Sequence, residues 1–422
     1  MTDASTQGSA APGTVVVIGG GQAAGWVLKT LRAEGFAGRL VMIADEPHLP
    51  YERPPLSKAV LAGDAHIETV RVVQPDEFAS LNVDAWQPER AASIDRTRRI
   101  VRTASGREVE YDRLVIATGG TSRRLPDSLV RTANLHYLRT LDEAAELGGK
   151  LRASRRVLVI GGGWIGLEVA ATARKLGVEA VVVEGAPRLC ARSVPPVVSN
   201  FLLELHRANG VDVRLDASLA SLDPQPGDAS KVRATLADGT TVDADFAVAG
   251  IGLALNASLA SDAGLAVDDG IVVDECGATS DPAIFACGDV ANHHNAWLKR
   301  RVRLESWANA QNQAIAVAKA VLGVRAPYAE IPWFWSDQYD VNLQILGDLP
   351  ADAQIVVRGE LAAGGATAGA PPRWTLFFVG DGHLKGVVAV NNARELKLAR
   401  KWMNQGRAVD MDALTDTTKA LA

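Results

Sequence analysis

An α/β fold with two Rossmann-like domains is predicted by a pattern that occurs twice in this sequence of 422 residues. In each copy an apolar, strand-like run leads into a glycine-rich turn and a helix-compatible stretch, and a second apolar run then ends in an acidic residue. Single hydrophobic cores stop growing beyond about 250–300 residues, so a chain of this length divides into two or three domains. The composition, 47% hydrophobic and 22% charged, is that of a globular protein.

The first copy begins with the strand-like run Thr14–Ile18 and continues through the sequence GGGQAAG. In this turn Gly19 permits a tight bend, Gly21 lets the backbone approach a pyrophosphate, and Ala24 keeps the following helix close to the sheet. Asp45 closes the next strand-like run, where it can accept hydrogen bonds from an adenosine ribose. This copy therefore predicts a dinucleotide site.

The second copy begins with the run Arg156–Ile160, after which Gly161, Gly163 and Gly166 complete a GxGxxG motif. Glu184 closes the following strand-like run in the same way as the acid of the first copy. The helix after each turn directs the partial positive charge of its N-terminus toward phosphates. One GxGxxG motif is weak evidence, but two in the same strand–turn–helix context predict two dinucleotide sites.

Two such sites in one chain predict a tightly held FAD and an exchanging nicotinamide dinucleotide. Glu184 favours NADH over NADPH, because a carboxylate suits a free ribose hydroxyl and repels a 2′-phosphate. Arg188 and Arg192 leave the alternative open, since either side chain could reach a phosphate.

The charge and the cysteines exclude several classes of protein. The formal net charge is -5, so nucleic acid is not an expected partner. The three cysteines, Cys190, Cys276 and Cys287, have no CxxC or metal-knuckle spacing, which predicts a reducing cytoplasm and no metal site. No apolar run approaches the ~18 residues of a membrane helix, and the polar residues 1–13 are predicted to form a flexible tail and not a signal peptide.

Seven further stretches carry a resemblance that covers nearly the whole chain: YERPPLSK (51–58), YDRLVIATGG (111–120), YLRT (137–140), AGIG (249–252), SDPAIFACGDVA (280–291), ESWANAQNQA (305–314) and PWFWSDQY (332–339). With these stretches the chain resembles the ferredoxin reductases of bacterial oxygenase systems, the putidaredoxin reductase and biphenyl dioxygenase reductase type. The resemblance implies a glutathione-reductase-like architecture in which residues 14–121 and 254–330 bind FAD, the inserted residues 122–253 bind NADH, and residues 331–422 form a C-terminal α+β domain. It also implies that the first glycine turn holds FAD and the second holds NADH.

The same resemblance implies the site residues. The contacts to FAD are Asp45, Lys58, Ala91 through its backbone, Arg139, Asp289 and Trp307, which lies beside the isoalloxazine. The contacts to NADH are Ile165, Glu168, Glu184, Arg192 and Gly252. Without this context Lys58 would be interpreted as a solvated amine, Glu168 as an exposed helix acid and Trp307 as a packing residue. Glu168 is expected in the first turn of its helix, near the phosphates.

The activity implied by the resemblance is hydride transfer from NADH to FAD, followed by two single-electron transfers to a [2Fe–2S] ferredoxin of the Rieske or putidaredoxin type. Lys58 is expected to stabilise negative charge on the reduced flavin, Glu168 to pair with Lys58, and Trp307 to lie beside the ring. Two basic stretches are candidates for steering an acidic ferredoxin: residues 298–303, and the helical set Lys397, Arg400 and Lys401.

Two alternative functions share this architecture. A disulfide reductase or NADH oxidase requires a redox-active cysteine beside the flavin, and the sequence has no cysteine before Cys190. A flavoprotein similar to apoptosis-inducing factor would respond to NADH without turning over a ferredoxin.

His293 and His294 are predicted to be loop residues, and residues 361–373 a flexible loop that joins two strands.

Overall fold

The computed structural model of the chain describes residues 12–362 and 371–421. The chain divides into two compact units. Unit 1 consists of Met1–Glu52, Val70–Thr121 and Leu255–Glu330, and unit 2 of Arg53–Thr69, Ser122–Ala254 and Ile331–Ala422. The three-domain boundaries given above stay a prediction, and the short segment Arg53–Thr69 belongs to unit 2.

Unit 1 is built on a parallel sheet of five strands, whose spatial order is Ile284–Ala286, Arg113–Ile116, Thr14–Ile18, Arg39–Ile43 and Val83–Trp86. Both faces of this sheet are buried. Val15 and Val17 of the central strand pack into one hydrophobic cluster, and Val16 and Ile18 pack into another. Burial on both faces explains the continuous apolar run in the sequence, because helices and loops cover parallel sheets on both sides.

The remaining elements of unit 1 surround this sheet. Two small sheets contain the strands Ala91–Asp95, Ile100–Thr103 and Glu108–Glu110, and the strands Ile271–Val272, Ala291–Asn295 and Arg300–Arg303. The helices are Gln22–Ala33, Pro75–Ser80, Ser258–Asp262 and Trp307–Val321, with a 3-10 turn at Gly288–Val290. The prediction that His293 and His294 are loop residues is wrong, because both lie in the strand Ala291–Asn295.

Unit 2 contains a second parallel sheet, in the order Asp212–Arg214, Glu179–Val183, Arg156–Ile160, Phe246–Ala249 and Leu135–His136. An antiparallel sheet of Leu219–Gln225, Asp228–Leu236 and Thr241–Ala244 packs beside it. The longer helices are Leu141–Ala153, Trp164–Lys175 and Pro196–Ala208. Shorter elements of unit 2 are Pro54–Ser57, Ala59–Ala62 and Asp127–Leu129, and the short elements Ile67–Val70, Gly120–Ser122 and Leu253–Leu255 include the residues at which the chain passes from one unit to the other.

The C-terminal part of unit 2 is an antiparallel sheet with two helices. The strand order is Trp333–Gln338, Val341–Gly347, His383–Val390, Trp374–Gly380 and Gln354–Gly359, and the helices are Ala393–Asn404 and Met411–Thr415. The predicted fold class, two Rossmann-like domains and a C-terminal α+β domain, is confirmed. The predicted loop 361–373 falls largely on residues 363–370, which lie outside the described residues, as does most of the predicted tail 1–13. Among the helices described, none has the length and apolar character needed to cross a bilayer.

Candidate active site

The first glycine turn lies at the carboxyl ends of the central strands of unit 1. Gly19 has a φ of +130°, and a Cβ atom there would lie 2.3 Å from the carbonyl oxygen of Ala117. The Gly19 amide donates to the carbonyl of Ile43 at 2.8 Å. Only glycine fits this close approach between neighbouring strand ends. Gly21 caps the following helix, in which Ala24 is fully buried against the sheet.

Asp45 is exposed and follows the strand Arg39–Ile43 directly beyond Ala44. The Glu89 amide donates to the carbonyl of Ala44 at 2.7 Å, which brings the start of the strand containing Ala91 to the same end of the sheet. The structure thus places Asp45 and the Ala91 segment beside the first glycine turn. Their contacts to a cofactor stay predictions.

Asp289 and Trp307 are joined to the first glycine turn by two glutamines. Nε2 of Gln22, the first residue of the helix after the turn, donates to the carbonyl of Trp307 at 3.0 Å. Oε1 of Gln313, on the helix that begins at Trp307, accepts from the amide of Gly288, the residue before Asp289, at 2.9 Å. Unit 1 therefore gathers the glycine turn, Asp289 and Trp307 into one site.

Two buried amide side chains at this place each have one atom without a hydrogen-bond partner among the described residues. Nε2 of Gln313 and Oδ1 of Asn309 are both buried, and neither has a hydrogen-bond partner among the described residues. An unsatisfied buried amide group costs about 1–3 kcal/mol, so such atoms mark a place where a polar ligand completes the hydrogen bonding. The site fits a flavin nucleotide. Sequence reasoning missed these two residues, although both lie in the stretch ESWANAQNQA.

The second glycine turn repeats the geometry of the first in unit 2. Gly161 has a φ of +106°, and a Cβ atom there would lie 2.6 Å from the carbonyl oxygen of Gly250. A Cβ atom on Gly166 would lie 2.1 Å from the carbonyl oxygen of Gly161. Both positions require glycine because a protein backbone passes next to them.

Gly163 is different, because nothing in the described part of the protein requires glycine there. Its φ is -83°, and the nearest heavy atom of the described residues to a Cβ atom there would be the carbonyl oxygen of Gly250 at 3.9 Å. The neighbouring Ile165 is 42% exposed, which is unusual for a large apolar residue at the start of a packed helix. Open space at Gly163 beside an exposed apolar side chain fits a dinucleotide that approaches the helix N-terminus.

Glu184 lies next to this turn. Its carboxylate accepts from the amide of Gly162 at 2.6 Å and from the amide of Ala186 at 2.8 Å. These bonds fix the carboxylate beside the glycine turn, where it suits a ribose with free hydroxyls and disfavours a 2′-phosphate.

The two arginines that could reach the 2′-phosphate of NADPH, Arg188 and Arg192, differ in their contacts. Arg188 donates to the carbonyls of Ala191 at 2.7 Å and Val194 at 2.6 Å in its own loop, and to the hydroxyl of Ser199 on the helix Pro196–Ala208 at 3.0 Å. Arg192 is exposed, and its guanidinium lies next to Gly252, since Nη2 would be 3.3 Å from a Cβ atom there. The structure therefore places Arg192 beside Gly252, whereas the Arg188 guanidinium is used in hydrogen bonds within the protein. Contacts of Arg192 and Gly252 to NADH stay predictions.

Lys58, which is partly buried, and Glu168, which is buried, form an ion pair within unit 2. Lys58 Nζ lies 2.8 Å from Oε2 of Glu168, and the exposed fractions of the two side chains are 18% and 3%. The Ser57 hydroxyl also donates to Oε2, and Lys58 donates to the carbonyl of Pro54 at 3.0 Å. The pairing proposed from the sequence is therefore present.

The expected position of Glu168 in the first helical turn is wrong. The helix begins at Trp164, so Glu168 falls in the second turn, where protein groups surround its carboxylate.

Arg139 precedes Thr140, the N-cap of the helix Leu141–Ala153, and its amide donates to Glu143 at 2.8 Å. A contact between the Arg139 side chain and a cofactor stays a prediction.

Two dinucleotide cradles, each at the carboxyl ends of a parallel sheet, define a flavin- and nicotinamide-linked oxidoreductase. Residues 13–314 match the family model of pyridine nucleotide-disulphide oxidoreductases, and residues 333–422 match that of reductase C-terminal domains. The chain belongs to the pyridine nucleotide-disulphide oxidoreductase family, among the ferredoxin reductases of oxygenase systems. Its cofactors are FAD and NAD(H).

The relatives are similar along their whole length. The chain is 39% identical to putidaredoxin reductase of Pseudomonas putida over 412 residues, which are 96% of this chain and 95% of the relative. It is 39% identical over 407 residues to the ferredoxin–NAD+ reductase component of the anthranilate 1,2-dioxygenase system of Burkholderia cepacia, covering 96% and 98%. The crystal structure of a covalent putidaredoxin reductase–putidaredoxin complex matches with a TM-score of 0.89 at 39% identity, covering 96% of each chain.

Proposed function

We propose that the chain is the NADH-dependent ferredoxin reductase of a multicomponent oxygenase and reduces two [2Fe–2S] ferredoxins for each NADH oxidised. The observation that carries this proposal is the presence of two dinucleotide cradles together with a reductase C-terminal domain. FAD supplies the chemistry that converts one two-electron donor into two single-electron steps. The protein positions the cofactors and excludes water.

The residues of the chain have distinct roles in this proposal. Gly163 leaves room for the pyrophosphate of NADH, and Glu184 selects its adenosine ribose. Lys58 stabilises negative charge on the reduced flavin, and Glu168 fixes the ammonium group of Lys58 through their 2.8 Å ion pair. Trp307 packs beside the isoalloxazine.

The cysteines give no support to a disulfide reductase or an NADH oxidase. Cys190, Cys276 and Cys287 are all buried and unpaired. Burial raises the pKa of Cys287 to about 12 and also raises the pKa of Cys190 and of Cys276. A thiol with a raised pKa stays protonated at neutral pH and is a poor nucleophile. Free thiols of this kind also support the proposal that the protein works in the reducing cytoplasm.

Of the two basic stretches, the one on the C-terminal helix is the better candidate for docking a ferredoxin. In the stretch 298–303, Arg301 donates to the carbonyls of Val273 and Asn292, and Arg303 pairs with Asp269 and Glu305. The two carboxylates neutralise the charge of Arg303, and the Arg301 guanidinium already donates to groups of the protein. This stretch therefore offers a ferredoxin fewer free cationic groups.

Lys397 and Lys401 are exposed on the helix Ala393–Asn404. Arg400 of the same helix lies 5.8 Å from the ring centre of Trp333, which stacks on Trp335 at 5.0 Å. A positive helix face beside two aromatic rings suits an acidic ferredoxin, because long-range attraction steers the encounter and apolar contact stabilises it.

Ferredoxin dependence is the test of this function. With NADH present, the purified holoprotein should reduce cytochrome c rapidly only after a [2Fe–2S] ferredoxin is added, because cytochrome c is reached through the carrier. The rate should fall as salt rises, since charge complementarity drives the encounter. Cytochrome c reduction is followed by absorbance against a panel of acidic ferredoxins.

A flavoprotein that only senses NADH would behave differently. It would form a long-lived charge-transfer complex with NADH, and no ferredoxin in the panel would increase turnover. That result would contradict the proposed reductase function, although the protein would still bind both cofactors.

Replacement of Lys58 by Met should slow flavin reduction by NADH. The apolar side chain keeps a similar length but removes the positive charge that stabilises the reduced ring, and we expect a limiting rate about tenfold lower. The measurement is anaerobic stopped-flow absorbance of the flavin at saturating NADH. An unchanged rate would remove Lys58 from the mechanism, whatever the ferredoxin assay shows.

A further inference from the structure

A chain of buried hydrogen bonds leads away from Glu168 into the C-terminal sheet, all within unit 2. The Ser336 hydroxyl lies 2.7 Å from Oε1 of Glu168, and Nε2 of Gln338 lies 3.0 Å from the Ser336 oxygen. Ser336 and Gln338 are two residues apart on the strand Trp333–Gln338, so their side chains share one face of the sheet. Their exposed fractions are 1% and 3%.

The chain continues to a buried histidine on a helix of the nucleotide-binding region. Nε2 of His206 lies 2.8 Å from Oε1 of Gln338, and the Tyr339 hydroxyl lies 3.0 Å from Nδ1 of His206. His206 is on the helix Pro196–Ala208 and has no exposed surface. Five side chains thus connect the helix of Glu168, a strand of the C-terminal sheet and a second helix.

The donors and acceptors in this chain all run in the same direction. An ionised Glu168 can only accept, so the Ser336 hydroxyl donates to it and accepts from the Gln338 amide. Oε1 of Gln338 must then accept, which makes Nε2 of His206 a donor. Burial lowers the pKa of His206 to about 4, so the ring is neutral, and its Nδ1 accepts from Tyr339. Bonds that are aligned in this way polarise one another and strengthen the last one, at the carboxylate.

The chain is suited to holding the carboxylate and not to conducting protons. The Gln338 amide has no proton that it readily releases and no site that it readily protonates near neutral pH, so it interrupts proton transfer between His206 and Ser336. What the network does supply is a fixed donor for the oxygen of Glu168 that Lys58 does not bind. The other oxygen is held by Lys58 and by Ser57, whose carbonyl in turn accepts from the Thr172 hydroxyl at 2.8 Å.

We propose that Ser336, Gln338 and His206 are positioning residues for the Glu168–Lys58 pair and thereby set the rate at which NADH reduces the flavin. This inference rests on the proposed function, in which Lys58 stabilises the reduced ring. It assigns to the C-terminal domain a part in the reductive half-reaction. A carboxylate held on both oxygens keeps the ammonium group of Lys58 in one place, whereas a carboxylate free to rotate does not.

The first variant is Ser336→Ala, studied in the FAD-loaded protein. Stopped-flow reduction at saturating NADH should be about fivefold slower, because the carboxylate loses one charge-assisted hydrogen bond. The NADH concentration that gives half the limiting rate should change by less than about twofold, because no atom of Ser336 is assigned to nucleotide binding. Gln338→Leu, which removes the donor to Ser336 and leaves the serine in place, should slow reduction in the same way by a smaller factor.

A double-mutant cycle separates positioning from a general loss of structure. Lys58→Met removes the group on which the network is proposed to act, so adding Ser336→Ala to it should have little further effect, less than about twofold. If Ser336→Ala slows the Lys58→Met protein as much as it slows the wild type, the network does not act through the pair and the inference is wrong.

Thr375→Val is the matched control. Thr375 is a buried hydroxyl of the same sheet and accepts from the Asn392 amide at 3.0 Å, as Ser336 accepts from Gln338, but it is not part of the chain to Glu168. Its loss should leave the limiting rate unchanged. Equal slowing by Thr375→Val and Ser336→Ala, or a wild-type rate in both Ser336→Ala and Gln338→Leu, would overturn the inference. An unchanged rate in Lys58→Met alone would also overturn the inference, because it would remove Lys58 from the mechanism, whereas failure of the proposed function would show as a lack of ferredoxin dependence.

Discussion

Alanine in place of Gly163 is expected to weaken NADH binding by roughly tenfold to a hundredfold while FAD content and thermal stability stay as in the wild type. The protein itself has space for the added methyl group, since the nearest heavy atom would be 3.9 Å away. That space is where the backbone must let the pyrophosphate approach. A forced methyl group costs about 1–3 kcal/mol, which is the source of the expected loss in affinity.

The affinity is measured by titrating the FAD-loaded protein with NAD+ or with a slowly reacting NADH analogue. Gly166→Ala is the matched comparison, because a Cβ atom there would lie 2.1 Å from the carbonyl oxygen of Gly161 and the backbone would have to shift. Gly166→Ala should therefore lower thermal stability as well as NADH affinity. Loss of FAD from Gly163→Ala, with NADH affinity intact, would show that the order of the two cofactors is reversed.

Replacement of Arg358 by Met is expected to destabilise the C-terminal domain by about 3–5 kcal/mol. Arg358 is only 7% exposed, and Nε lies 2.7 Å from Oε1 of Glu395. The guanidinium also donates to three carbonyls of the C-terminal segment, those of Leu414 at 3.1 Å, Asp416 at 2.6 Å and Lys419 at 2.6 Å. Its removal leaves a largely buried carboxylate without its counter-ion and three carbonyls without a donor.

The loss is measured by urea unfolding with tryptophan fluorescence, since Trp374 and Trp402 are buried in this domain. The double variant Arg358→Met, Glu395→Leu should recover part of the loss, because it removes the orphaned charge as well. A double variant no more stable than Arg358→Met would show that the carbonyl contacts, and not the ion pair, provide the stabilisation.

The sequence predicted those elements that have a local signature. The strands Thr14–Ile18 and Arg156–Ile160 begin and end where the apolar runs do, because both faces of a central parallel strand are buried and the glycine turn ends the run. Asp289 and Trp307 were found through longer stretches that carry the family resemblance. The structure then gathered them with the glycine turn through Gln22 and Gln313.

Contacts between residues far apart in the sequence left no such signature. Glu168 was expected near the phosphates because a carboxylate in the first helical turn suits the helix dipole, but its partners Ser57 and Ser336 come from other elements of the chain. For His293 the sequence offers only an adjacent histidine without a cysteine or carboxylate cluster at metal-ligand spacing, which excludes a metal site but does not predict a strand. Its strand is short, and its side chain packs against Tyr328, with ring centres 5.4 Å apart.

The separation of the two glycine turns into different compact units has a consequence for how such a chain can change over generations. Glu184, to which we assign the selection of the adenosine ribose, lies in one unit, whereas Asp45 and Asp289 lie in the other. Substitutions that retune coenzyme preference need not disturb the folding of the flavin cradle. During evolution, a protein of this kind can therefore change the nicotinamide coenzyme that it uses without losing its FAD.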